Sequence, residues 1–282
     1  MKTRRLLLLI AICVCFHACG GRSDGNKTGD KEQPKAQPLN ITVLIDLSDR
    51  IKRNTENMEQ EDKDIALIVN IADSLKDKAQ KEKFTGKDKF KVLFYPNPKL
   101  EDINSVIGTL EINMEVPRKE KGLLKRRLQT IDSLFSNTLH SVYKQTKNDG
   151  DWSGSDIWGF FRDRVQDQCI IEGYRNILVI LTDGYIYHKD NKEQKNGKQS
   201  WVTPLVLDQN PDTKLLNPLD ERQKLSDLEV LVLEVDPAKQ SHFKLLEKIW
   251  NEWFDEMGIK QSKIMRTDVP KNIINPIDKF LQ

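Results

Sequence analysis

Disulfide chemistry is nearly absent from this chain. Of four cysteines, Cys13, Cys15 and Cys19 lie at the N-terminus and only Cys169 lies beyond, which excludes an intrachain disulfide framework in the main body. Cys169 precedes Ile170 and Ile171, the setting of a buried, inert thiol. Glycine-rich phosphate cradles are missing too. Neither G-x-G-x-x-G nor a P-loop occurs, which argues against a nucleotide-binding domain. Histidine is scarce, with 4 residues in 282, and His140, His188 and His242 lack the spacing of metal ligands. Basic and acidic residues nearly balance, 45 against 43, so nothing favours nucleic acid as a partner. The apolar run Leu6–Phe16 is too short for a comfortable membrane span.

What is present begins with a leader. Lys2, Arg4 and Arg5 precede that apolar run, which ends at Ala18-Cys19-Gly20-Gly21, the pattern of a secretory signal. Ala18-Cys19 also resembles the lipobox of bacterial lipoproteins, although Phe16 and His17 depart from it. That resemblance implies cleavage after residue 18, a lipid on Cys19 and attachment to a membrane of the bacterial envelope. The absence of an acidic residue after Cys19 implies the outer membrane. Losing three positive charges with the leader takes the formal charge from +2 to −1. Residues 19–39 are Gly, Lys, Asp, Gln and Pro with little that is apolar, and read as a flexible tether.

The folded part begins abruptly at residue 40 and extends to 282. Two apolar runs in it end in aspartate: Ile41-Thr-Val-Leu-Ile-Asp46-Leu-Ser48 and Asn176-Ile-Leu-Val-Ile-Leu-Thr-Asp183-Gly184. Runs this rich in Ile, Val and Leu read as central strands buried on both faces. Further strands are expected at 89–95, 108–115, 228–235 and 263–266. The 108–115 strand is expected to run antiparallel to its predecessor, because the link is short. Helices are expected at 61–80, 119–147, 155–168, 241–257 and 273–281. Alternation of strands and helices predicts an α/β fold: a doubly wound, mostly parallel sheet with helices on both faces. Residues 185–227 exceed a routine connection and read as an exposed insertion.

In such sheets ligands sit beyond the carboxyl ends of the strands, so the two aspartates and nearby hydroxyls are expected to converge. Oxygen donors of this kind suit a hard cation such as Mg²⁺. Taken singly, Ser48 and Ser155 also read as helix N-caps and Asp183-Gly184 as a turn. Trp158, Trp250 and Trp253 read as packing residues.

Asp46-Leu-Ser48, Gly154-Ser155-Asp156-Ile157 and Leu-Thr-Asp183-Gly184, each after the appropriate element, resemble the three loops of a von Willebrand factor A (VWA) domain. The resemblance spans residues 40 to about 282. It implies a Rossmann-like VWA architecture and a metal-ion-dependent adhesion site. There Asp46, Ser48 and Ser155 supply inner oxygens to Mg²⁺ or Mn²⁺, and Asp183 acts directly or through water. Ser155 stands where the family favours Thr, a mild change. Arg50 stands where the family has a second Ser. A guanidinium about 6 Å from a divalent ion repels it by roughly 5 kcal/mol at an effective dielectric of about 20. Arg50 would therefore either swing away, with Asp49 as partner, or fold over Asp46 and Asp183 and replace the ion. Trp152, Asp156 and Tyr185 are candidates for a surrounding rim.

These readings lead to a lipid-anchored, extracytoplasmic module that binds a protein partner and is not an enzyme. A Mg²⁺-dependent phosphoester hydrolase is the first alternative. It is disfavoured because dehalogenase-like phosphatases need Asp-x-Asp, where this chain has Asp46-Leu-Ser48. A metal-free structural lipoprotein with a degenerate site is the second.

Overall fold

A computed structural model describes residues 37–52, 54–55, 58–149 and 154–282. The leader, Cys19, most of the tether and Trp152 lie outside the described residues. Gln37–Gln282 form one compact unit.

Six strands make the main sheet: β1 (Leu39–Ile45), β2 (Lys89–Phe94), β3 (Glu111–Asn113), β4 (Arg175–Leu181), β5 (Leu228–Val235) and β6 (Gln261–Arg266). Their order across the sheet is β6-β5-β4-β1-β2-β3. All neighbours run parallel except β2 and β3. The chain thus builds outward from β1 to one side, then returns to β1's other edge with β4 and builds outward again. The reversal between β1 and β4 is the topological switch point, where the loops leave in opposite directions and open a crevice.

Side chains of the central strands alternate between two cores, as the pleat requires. Ile41, Val43 and Ile45 of β1, with Ile177, Val179 and Leu181 of β4, face one core. On that side pack α1 (Gln60–Lys81), α2 (Ile103–Thr109), α3 (Lys121–Gln129), α4 (Ile131–Asp149) and α9 (Pro270–Leu281). Leu44, Leu178 and Ile180 face the other core, shared with α5 (Ile157–Asp163), α6 (Val165–Cys169), α7 (Pro204–Gln209) and α8 (His242–Met257). The doubly wound α/β architecture is therefore present. Trp158, Trp250 and Trp253 lie in this second core. Cys169 is fully buried there, and burial pushes its thiol up to about 12.

Several boundaries differ from those expected. The segment expected to be one strand over 108–115 begins instead as the end of α2, leaving only Glu111–Asn113 paired with β2. The expected helix over 119–147 is broken at Thr130, which leaves helical geometry at φ −110° and ψ 11°. Its hydroxyl donates to the Arg127 carbonyl at 3.2 Å, a local bond that competes with the helical ladder. Arg164, at φ −133°, divides the helix expected over 155–168.

The stretch 185–227 is no loose insertion. Ile186, Val202, Leu207, Leu215 and Leu225 are buried in the second core. The indole N–H groups of Trp158 and Trp253 both donate to the Leu216 carbonyl, at 2.8 and 2.7 Å. The segment covers α5 and α8, whose aromatic faces would otherwise meet water.

Candidate functional site

The crevice at the switch point is built from three loops. The first leaves β1 at Asp46, whose backbone N–H still donates to the Leu181 carbonyl of β4 at 2.9 Å. That bond holds the two strand ends side by side. Asp46 is buried; its Oδ1 accepts from the Ser48 N–H at 2.8 Å and its Oδ2 from the Thr182 hydroxyl at 2.8 Å. The second loop leaves β4 at Thr182-Asp183-Gly184. Asp183 Oδ1 accepts from the Tyr185 N–H at 3.0 Å. Gly184 takes φ +96° with Val235 and Leu246 against it, so a Cβ would meet both strain and the Val235 side chain at 2.8 Å. The third loop is the short ladder in which Gly154 and Ser155 pair with His188 and Tyr187. Gly154 has φ +93°, and a Cβ there would lie 2.2 Å from the Tyr187 carbonyl oxygen.

These loops surround a cleft of about 260 Å³ lined by Asp46, Ser48, Asp49, Gly154, Ser155 and Asp183, with Tyr185, Tyr187, Thr203 and Pro204 at its border. All four residues expected to supply oxygens are thus brought together. A second cleft of about 380 Å³ shares Gly154 and Ser155 and runs past Tyr95, Pro96 and His188. Ser155 is only 5% exposed and its hydroxyl has no hydrogen-bond partner. A buried hydroxyl without a partner costs roughly 1–3 kcal/mol, so its capacity is held open. Among the described residues no group of three or more His, Cys, Asp or Glu is placed to hold a metal. The donor set here is two carboxylates and two hydroxyls, all hard oxygens.

Arg50 swings away from the cleft, as one of the two alternatives expects, but its partner is Asp64. It does not pair with Asp49 and does not fold over the carboxylates of Asp46 and Asp183. Its side chain is 1% exposed and runs into the protein beneath the cleft. Nε donates to the Asp46 carbonyl at 2.9 Å, and Nη2 to the Leu181 carbonyl at 3.1 Å and Asp64 Oδ2 at 2.5 Å. The guanidinium thus grips the main chain at the ends of both β1 and β4. Asp64, on α1, also accepts from the Tyr143 hydroxyl at 2.5 Å and from Gln60 Nε2 at 3.0 Å. Burial opposes the charge on Arg50, but Asp64, Tyr143 and Asp46 together outweigh it and hold the guanidinium above its ordinary value. Tyr143 is pushed well above the usual phenol range by burial, then by the Asp64 charge. Gln60 continues the network to Glu234 Oε2 at 3.0 Å.

The remaining rim candidates divide. Tyr185 borders the cleft, yet it is 8% exposed and its hydroxyl meets His242 Nδ1 at 2.8 Å. His242 Nε2 in turn meets Asp208 Oδ1 at 3.1 Å. Asp156 is not a rim residue: it caps α5, Oδ1 accepting from the Gly159 N–H at 2.8 Å and from Asn191 Nδ2 at 2.7 Å. The N-cap role considered for Ser155 therefore belongs to its neighbour. Sequence reasoning missed Thr203 and Pro204 at the cleft and Thr182, Asp64, Tyr143 and Gln60 beneath it. Thr182 stood in plain view inside the Leu-Thr-Asp-Gly turn. The other five gave no local signal.

No family model matches the chain. Among curated proteins, the RxLR effector protein CRE8 of Phytophthora infestans (strain T30-4) is 35% identical over 109 residues, which is 37% of this chain and 62% of that protein. The chain thus spans less than two thirds of that relative's length. Among solved structures, an aerotolerance-related membrane protein from Bacteroides fragilis NCTC 9343, carrying multiple mutations to serines, superposes with a TM-score of 0.37. That superposition has 13% sequence identity and covers 86% of this chain and 97% of the other. Neither likeness assigns the chain to a family.

Proposed function

We propose that this protein is a VWA-like binding module, anchored to the bacterial cell envelope through a lipid on Cys19, that captures a partner protein with a divalent cation. Mg²⁺ or Mn²⁺ is the ion, held by Asp46, Ser48 and Ser155, with Asp183 acting directly or through water. The observation that carries this reading is the Ser155 hydroxyl, buried and unpartnered in a cleft it shares with Ser48 and with three aspartates, Asp46, Asp49 and Asp183.

The donor chemistry fits the ion. Two carboxylates offset the charge of a divalent cation, and neutral hydroxyls complete the inner oxygens without over-neutralising it. Arg50, which would repel a cation from the position of a third hydroxyl, is turned inward and paired with Asp64. When bound, the ion supplies Lewis acidity toward an incoming oxygen ligand. An acidic side chain of the partner is the natural donor. The chain enters the domain at the start of β1, and the cleft lies past the end of that strand. The outer membrane is the site of attachment.

Calorimetric titration of Mg²⁺ and Mn²⁺ into the metal-stripped full chain tests the reading. Saturable heat that disappears in Asp46→Asn supports it, and silence in the parent protein contradicts it. A parallel assay of phosphoester hydrolysis with Mg²⁺ separates binding from catalysis. Turnover that depends on Asp46 would replace the binding module with a hydrolase.

A further inference from the structure

The end of the sheet remote from the cleft carries a charged surface of its own. Where the chain enters the domain, the Leu39 N–H donates to Asp88 Oδ1 at 2.7 Å. The Met114 N–H donates to the carbonyl of the same Asp88 at 3.0 Å. β3 therefore delivers the chain to that end, just before a 3₁₀ turn, Arg118–Glu120, and α3.

Between Arg118 and Arg127 stand six basic residues and a single acid, Glu120. Two of the six serve the fold. Lys121 Nζ donates to the Met114 carbonyl at 2.8 Å, and Arg127 Nη2 to the carbonyls of Gly108, Thr109 and Glu111 at 2.9, 2.9 and 2.8 Å. Lys125 lies over the Phe84 ring, 5.9 Å from its centroid. Arg118, Lys119 and Arg126 are exposed and make no ion pair or hydrogen bond among the described residues. Amid them Leu123 is 61% exposed, while Leu124 and Leu128 are buried on the opposite side of the helix. Gly122, Leu123 and Arg126, at i, i+1 and i+4, are exposed together on α3, with Lys119 exposed in the turn before it.

An uncovered leucine among unpaired cations is the pattern of a segment that lies in a membrane interface. The apolar side chain enters the headgroup layer while the cations meet anionic lipid. We propose that α3 and the turn before it dock on a bilayer surface bearing anionic phospholipid. Leu123 inserts, and Arg118, Lys119 and Arg126 pair with lipid phosphates. An acidic protein surface would answer the charges but offers no acyl boundary for Leu123. Because the segment starts where the chain enters the domain, docking holds that end against the bilayer and turns the cleft outward. The proposal depends on neither the metal nor the lipid on Cys19.

The test is co-sedimentation of the full chain carrying Cys19→Ser with liposomes of phosphatidylcholine alone or with phosphatidylglycerol added. The leader's Lys2, Arg4 and Arg5 favour anionic lipid as well, but that contribution is common to every variant, so the difference between parent and variants carries the test. Expected is a preference for the anionic liposomes that fades in high salt and weakens about fivefold for each of Arg118→Ala, Lys119→Ala and Arg126→Ala. Leu123→Ala is expected to weaken binding about fivefold without changing its salt dependence. All four side chains are exposed, so melting temperatures should stay at the parent value. Equal binding to both liposomes, or a triple cation variant that binds as the parent does, would overturn the proposal. Retention on immobilised poly-glutamate without retention on anionic liposomes would overturn it in favour of an acidic protein partner.

Discussion

Asp46 and Arg50 are four residues apart and both are buried, yet they belong to regions with opposite logic. Around Arg50, bonding capacity is consumed internally. The guanidinium meets two carbonyls and a carboxylate, both Asp64 oxygens accept, and the Tyr143 hydroxyl is engaged. Around Asp46, a buried hydroxyl is left with nothing to bond. Buried polarity alone therefore does not mark a site. The saturated polarity around Arg50 welds strand ends together, whereas the open hydroxyl of Ser155 lines a cleft that an ion can enter. The saturated region also serves the open one, because Arg50 fixes the carbonyls at which both cleft loops begin.

Removing a partner from the saturated region should have the largest effect. Asp64→Ala strands the Arg50 charge in the interior and is expected to cost about 3–5 kcal/mol, read from urea unfolding. In the open region the loss should fall on binding instead. Asp46→Asn keeps the acceptor for the Ser48 N–H, and the Thr182 hydroxyl can reverse its role. Stability is expected to stay within about 1 kcal/mol of the parent, while calorimetry registers Mg²⁺ affinity at least about tenfold weaker.

A matched pair sharpens the contrast. Tyr143→Phe deletes a used hydroxyl and should cost about 1–2 kcal/mol of stability with metal affinity unchanged. Ser155→Ala deletes an unused one and should raise stability by about 1 kcal/mol or more, with metal affinity reduced about tenfold. Thermal melts alongside metal titrations of the two variants check both halves. If both lose only stability, the distinction between the regions fails.

The smallest effect is a pH slope at the far end of the network. Glu234 is buried at φ +64°, with Oε2 held by Gln60 and Thr267 and Oε1 unpartnered. Burial, helped by the nearby Asp64 charge, raises its carboxyl above the ordinary value. The folded state thus keeps this proton where the unfolded chain has lost it. The resulting stability is full below the unfolded value of about 4.3 and is lost as pH rises through the higher folded value. Glu234→Gln should flatten that part of the melting profile above about pH 4.3.

The contrast also explains what could be read from the sequence. β1 and β4 were legible because buried parallel strands need unbroken Ile, Val and Leu, and their terminal aspartates stood out against those runs. The placement of Ser155 was legible only through the order of three loops. The burial of Arg50 was not, because its partners are Asp64 on α1 and the carbonyls of Asp46 and Leu181. Asp64 sits in the charged stretch Gln60-Glu-Asp-Lys-Asp64, which reads as a solvated first turn. The 185–227 segment misled because its buried residues, from Ile186 to Leu225, are too far apart to form a period. Thr130 broke a helix whose apolar spacing ran on through it.

The most direct test is a crystal of the full chain soaked in Mn²⁺ and measured for anomalous scattering. A single strong peak within about 2.5 Å of Ser155 Oγ and an Asp46 carboxylate oxygen, absent from Ser155→Ala crystals soaked alike, is the predicted result. A cleft without a peak, or one identical in the variant, would contradict the assignment of the open hydroxyl to a metal.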